Sequence, residues 1–133
     1  MTNIDPKLWG KPGWIFLHSI TLGYPINPTE EEKNNYELFF NSIGNILPCS
    51  TCRNNYLNSL NKYKLTNEVL LTRDRLVNWL INIRLNDQNI HNKNISVKTI
   101  LNEIGINNIN QKSNNAVNSS ISTTNNKKTG CNC

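Results

Sequence analysis

No apolar run in this chain approaches the ~18 residues needed to cross a bilayer, so no membrane span is expected. The opening residues, MTNIDPKLWGKPGW, lack a basic region followed by a long apolar core. A secretory signal is therefore not expected, and the protein is read as soluble and cytoplasmic. Fourteen Lys and Arg against nine Asp and Glu leave a formal charge of +5, yet they are scattered. They form no block of like charge and do not interleave with aromatic residues, so nucleic acid is not an expected partner. Alternation of apolar and polar residues of useful length is missing, as is any internal repeat; strands are not expected. Cysteine is scarce too, at four residues, but all four stand in pairs: Cys49 and Cys52 in ILPCSTCR, and Cys131 and Cys133 in CNC.

What is present is helical periodicity followed by a polar tail. A chain of 133 residues has room for one domain, and can fold without disulfides by a small margin. Residues 106–133 are rich in Asn, Ser, Thr and Lys with few large apolar side chains, too few to offset the entropy of ordering. They read as a flexible arm on a domain spanning residues 1–105. Within that domain, Trp14, Leu17, His18, Thr21 and Leu22 share one face of a first helix, which Gly23 and Pro25 stop. Thr29 with Glu32 has the form of a capping box for a second helix, whose apolar stripe is Tyr36, Phe39, Phe40 and Ile43. A third begins near Cys49, with Tyr56, Leu57 and Leu60 facing inward. A fourth runs from about Thr72 and carries Leu76, Val77, Leu80 and Ile83. A short fifth opens on a Ser N-cap and ends at Gly105. The expected fold is all-α: a four-helix bundle plus a short fifth helix, with a flexible C-terminal tail.

Pro48 biases Leu47 away from helical geometry, so a helix can start at or near Cys49 and carry Cys52 on the same face, with the thiols in bridging range. Unpaired N–H groups at that helix start favour a thiolate. A thioredoxin reading requires a βαβ unit, which the sequence lacks. Three readings stay open on the residues alone. One is a zinc site of all four cysteines, for which CxC is a poor second half at too long a spacing. Another is a structural disulfide within a non-enzymatic helical module. The last is dithiol redox chemistry, which requires an acceptor for the electrons.

The order of motifs resembles that of the Erv/ALR flavin-dependent sulfhydryl oxidases. WGKPGWIFLHSITLGYP, then LPCSTC, then LVNWL are similar to the family's helix-one Trp and His, its Pro-Cys-x-x-Cys and its helix-four Trp segment, over roughly residues 8 to 93. The resemblance implies a helical bundle, usually homodimeric, that holds FAD noncovalently and passes electrons from protein thiols to dioxygen, giving hydrogen peroxide. It assigns Gly10, Lys11, Trp14, His18, Tyr24 and Trp79 to the cofactor, with Lys11 where the family usually has Arg. Cys52 would lie beside the isoalloxazine and Cys49 would be the outer partner. Cys131 and Cys133 resemble the shuttle disulfide carried outside the core by many members. Two departures stand out. Where the family has His-Asn-x-x-Asn, Arg84, Leu85 and Gln88 stand instead, and His-Asn comes later as His91 and Asn92; either a shift of several residues restores the family contact or Arg84 and Asn86 replace it, and substitution is the favoured reading, with Lys93 as the cofactor-facing lysine. Ile81 occupies the position at which many relatives carry a cysteine that staples the fifth helix. The short, Asn-rich form resembles versions encoded by large DNA viruses.

Overall fold

A computed structural model describes residues 2–90 and 95–106, with nothing said of the side chains of residues 89 and 90. Cys131, Cys133 and Lys93 lie outside the described residues, as does the expected arm from residue 107 onward. The fold is all-α, and no strand occurs among the described residues.

Each helix starts where its local chemistry satisfies the free N–H groups of the first turn. In α1 (Pro6–Leu22) the Asp5 side chain accepts from Lys7 N at 2.9 Å, and Pro6 occupies the first position, where its missing N–H costs nothing. Both bonds of the capping box form at the start of α2 (Glu30–Ile46): Thr29 Oγ1 accepts from Glu32 N, and Glu32 accepts from Thr29 N. That helix ends at Leu47, extended ahead of Pro48. Cys49 is the N-cap of α3 (Ser50–Lys62). A single 3₁₀ turn, Val69–Leu71, leads into α4 (Arg73–Ile90). Ser96 caps α5 (Val97–Glu103), after which Gly105 takes φ +83°, the left-handed conformation that glycine adopts without strain.

The spacing on α4 makes it the hub. Leu76, Leu80 and Ile83, all fully buried, face a core shared with Tyr24, Phe40 and Tyr56. Val77 and Ile81 look the other way, onto Ile100 and Leu101 of α5. Phe39 departs from the expected stripe of α2: adjacent to Phe40, it points outward and is exposed, while Phe40 packs edge-on to Trp79 at 5.3 Å. At Gly44 the α2 backbone passes so close to α3 that an added Cβ would fall 2.9 Å from Leu57 Cγ. Ile106 closes the described segment by packing on the α4–α5 cluster.

Direction follows from cross-contacts. Arg84 lies over the Trp14 ring, whereas Leu22 packs at the Val77 end, so α1 runs antiparallel to α4. Asn86 bonds to Ser59, and Trp79 Nε1 donates to Tyr63 O, so α3 is also antiparallel to α4. The starts of α1 and α3 therefore meet the end of α4 at one pole of the bundle.

No helix among the described residues is long and apolar enough to cross a membrane. Ile81 is 5% exposed within the α4–α5 cluster, an apolar attachment at the position where the resemblance would put a cystine. Truncation there should cost about 2–4 kcal/mol, the usual range for a buried isoleucine. Urea unfolding of Ile81→Ala against the unaltered chain measures it, and hydrogen exchange should locate the loosening in α5.

Candidate active site

Cys49 and Cys52 are joined in a disulfide, with Cα atoms 5.1 Å apart, one helical turn across the start of α3. Cys49 has an extended backbone, and its Sγ accepts from Cys52 N at 3.2 Å, so sulfur takes the role an Asp or Ser oxygen plays in an ordinary N-cap. Of the two, Cys49 is the buried one at 9% exposure; Cys52 is half-buried. The chain on either side of Cys49 is tied to residues 3 and 4. Ile4 N donates to Pro48 O at 2.7 Å, and Ser50 N donates to Asn3 Oδ1 at 3.0 Å. Among the described residues no group of three or more His, Cys, Asp or Glu is arranged to hold a metal.

A second cluster lies between α1, α4 and α5. His18 is fully buried, and neither ring nitrogen has a hydrogen-bond partner among the described residues. Its ring lies 6.1 Å from that of Trp14. Burial, reinforced by the Arg84 charge, lowers the His18 pKa to about 3, so the imidazole is neutral at pH 7. Arg84 is 3% exposed, lies 5.6 Å from the Trp14 ring centroid, and pairs through Nη2 with Glu103 on α5. Its Nε and Nη1 have no partner among the described residues. Glu103 also lies 3.8 Å from Lys11 Nζ, spanning α5 to the start of α1. Glu103 escaped the sequence reading because nothing in a seven-residue helix signals that its last residue returns to α1 and α4.

The remaining sequence-derived residues divide. An added Cβ at Gly10 would approach only Pro6 Cβ, at 4.0 Å, so nothing within the chain requires glycine there. Tyr24 is fully buried, its ring tilted against that of Tyr36 with centroids 4.6 Å apart, its hydroxyl donated to Leu70 O and its own carbonyl accepting from Arg73 Nε. Trp79 faces the same core, its N–H spent on Tyr63 O at 2.8 Å. Asn86 turns toward α3, donating to Ser59 Oγ at 2.8 Å and accepting from Lys62 Nζ at 3.2 Å. The structure thus brings Lys11, Trp14, His18 and Arg84 together around Glu103, while Tyr24, Trp79 and Asn86 carry their polar atoms elsewhere.

Four buried nitrogens without partners, on one imidazole and one guanidinium, are a costly arrangement for a purely structural core. Set beside an indole face and an open glycine backbone, they fit a flat, polar-edged ligand.

A model of the Erv1/Alr family matches residues 11–104. A probable FAD-linked sulfhydryl oxidase of Acanthamoeba polyphaga mimivirus is 56% identical over 80 residues, covering 60% of this chain and 56% of that protein. A putative FAD-linked sulfhydryl oxidase of Invertebrate iridescent virus 3 is 29% identical over 98 residues, 70% of this chain and 66% of that one. The mitochondrial FAD-linked sulfhydryl oxidase of Saccharomyces cerevisiae is 30% identical over 77 residues, 57% of this chain and 39% of its own length. The matches thus span between 39% and 66% of these relatives.

Two outcomes test the cluster. Because the folded His18 pKa lies below the unfolded value, the unfolded chain binds the proton first; stability is full above about pH 6.5 and falls as pH drops toward about 3. Between pH 7 and 5 this one group should remove about 2 kcal/mol, and His18→Phe should flatten that portion of the pH profile in urea titrations. Glu103→Ala leaves a buried guanidinium unpaired and should cost about 3–5 kcal/mol, whereas replacing both partners at once, Arg84→Met with Glu103→Leu, should be near neutral. Thermal unfolding of the two variants separates them.

Proposed function

Because the chain belongs to the Erv1/Alr family, we propose that it is an FAD-linked sulfhydryl oxidase that forms disulfides in protein thiols. One observation carries the proposal: a CxxC disulfide at a helix start, in a chain that also sets a half-buried Trp14 beside buried His18 and Arg84, whose nitrogens are unmatched among the described residues. Trp14 offers an aromatic face, neutral His18 a donor and an acceptor, and Arg84 three free N–H bonds on Nε and Nη1. Gly10 and Lys11 would border the cofactor on α1 and Lys93 beyond α4, with Tyr24 and Trp79 backing the site from the core. Asn86 is the weaker of the two proposed substitutes, since its amide already serves Ser59 and Lys62.

Bound FAD would accept two electrons from a dithiol and transfer them to dioxygen, giving hydrogen peroxide. The chain's own part is thiol–disulfide exchange. A substrate thiolate attacks the Cys131–Cys133 disulfide, and the second substrate thiol resolves the mixed disulfide, leaving the arm as a dithiol. One arm thiolate then attacks Cys49 and releases Cys52 as a thiolate. The other arm thiol resolves the mixed disulfide at Cys49, so the arm disulfide is restored and the core pair holds the electrons. Half-buried Cys52 is the sulfur we assign to the cofactor, and Cys49 to the incoming thiol. The arm's tether would raise its effective concentration at Cys49, within one chain or across a homodimer. Exposed Phe16 on α1 and Leu38, Phe39 and Ile46 on α2 are apolar surface that such a dimer would cover. Working on proteins made in the cytoplasm, as for a virus-encoded enzyme, completes the reading.

Purified protein should be yellow, and Cys52→Ser should keep its flavin spectrum while losing dithiol-driven oxygen consumption at least ~100-fold, since no redox dithiol remains. Colourless protein carrying stoichiometric zinc overturns the oxidase in favour of a non-enzymatic helical module. Cys131→Ser should slow turnover with a reduced protein substrate about tenfold or more yet spare a small dithiol, because only the tethered route is lost. Equal loss with both substrates removes the shuttle.

A further inference from the structure

The proposed relay needs an incoming sulfur at Cys49, yet Cys49 is the more buried member of the pair. Exchange proceeds in line: the attacking sulfur approaches opposite the leaving one, so it must come from the side of Cys49 away from Cys52. The backbone around Cys49, from Pro48 to Ser50, is bonded on both flanks to the segment before α1. Ile4 N donates to Pro48 O at 2.7 Å and Asn3 Oδ1 accepts from Ser50 N at 3.0 Å. Trp9 Nε1 in turn donates to Ile4 O at 3.0 Å, bolting the segment to the first turns of α1. None of these strap residues lies in the stretch matched by the family model, which begins at residue 11.

We propose that residues 2–5 form a strap over Cys49 that decides which thiols reach the disulfide, with Asn3 and Trp9 as its fastenings. This rests on Cys49 being the point of entry. Its three hydrogen bonds lie at exposed positions, where local opening is far easier than global unfolding. A thiol on a bulky carrier must wait for the strap to lift, whereas a small dithiol passes beneath it. The strap thereby favours a tethered thiol, which stays nearby between openings, over free thiols that must diffuse in during one.

The test reads the core disulfide directly. Oxidised full-length protein is reacted under anaerobic conditions with reduced glutathione or with dithiothreitol, quenched by alkylation, and its Cys49 and Cys52 thiols are counted by mass spectrometry. Asn3→Ala and Trp9→Phe each remove one fastening without changing charge, and circular dichroism establishes that each is folded. The glutathione rate should rise about fivefold or more in either variant and the dithiothreitol rate less than about twofold, as expected if opening limits only the larger reagent. Rates that rise together for both reagents, or do not change, overturn the strap and leave Asn3 as a helix cap alone. Without oxygen any bound flavin takes up only one electron pair per chain, so thiols counted beyond that pair report the exchange itself. If the reduced core pair fails to bleach bound flavin in the unaltered chain, the oxidase reading falls while the strap result stands.

Discussion

The guanidinium of Arg84, taken out of water between three helices, constrains the rest of the structure. A buried cation is tolerated only when its charge and its N–H groups are met, and here a single carboxylate, Glu103, meets part of the need. That carboxylate must come from α5, so α5 has to dock; Lys11 on α1 approaches the same carboxylate and draws the start of α1 to it. The indole of Trp14 takes one face of the cation. What is left over, the Nε and Nη1 of Arg84 and both nitrogens of His18, is hydrogen-bonding capacity held in place before any ligand arrives. Such preorganisation costs stability in the free chain and reduces the cost of binding a partner with matching edges.

The cysteine pair uses the opposite strategy, with chemistry at the surface end of an ordinary helix start. Cys49 as N-cap has its sulfur fixed by a backbone donor, Cys52 N, so the sulfur assigned to the incoming thiol is held in place by the start of α3. The antiparallel run of α1 and α3 against α4 brings this helix start beside the start of α1 and the end of α4. Topology, rather than sequence proximity, likewise gathers Lys11, Trp14, His18, Arg84 and Glu103 into one cluster.

What the sequence made legible was mostly local. The Thr29–Glu32 capping box, the Ser96 cap, the stop at Pro48 and the CxxC on one helical face are each set within a few residues, and all appear as read. Phe39 was misplaced because two adjacent aromatics cannot both lie on a stripe one residue wide, and periodicity alone does not choose between them. Glu103 was illegible for a different reason: its meaning depends on a helix returning across the bundle. The backbone on either side of Cys49 is likewise tied to residues 3 and 4, about 45 positions away in sequence, whose backbone and amide groups carry no pattern to read. Tyr24 and Trp79 were legible as aromatic positions, but their hydroxyl and indole N–H are committed to Leu70 and Tyr63, which only the packed core reveals.

The attachment of α5 bears on the chemistry. A cystine tying α5 to α4 would be a second disulfide close to the first, open to the same thiols. Here Ile81 meets Ile100 and Leu101 in a dry cluster, and Glu103 adds an ion pair beside it. Neither bond responds to a reductant. Among the described residues the Cys49–Cys52 bridge is therefore the sole target for thiol exchange. The contacts that hold α5 and the carboxylate of Arg84 in place contain no sulfur, so nothing in them is consumed when the pair exchanges.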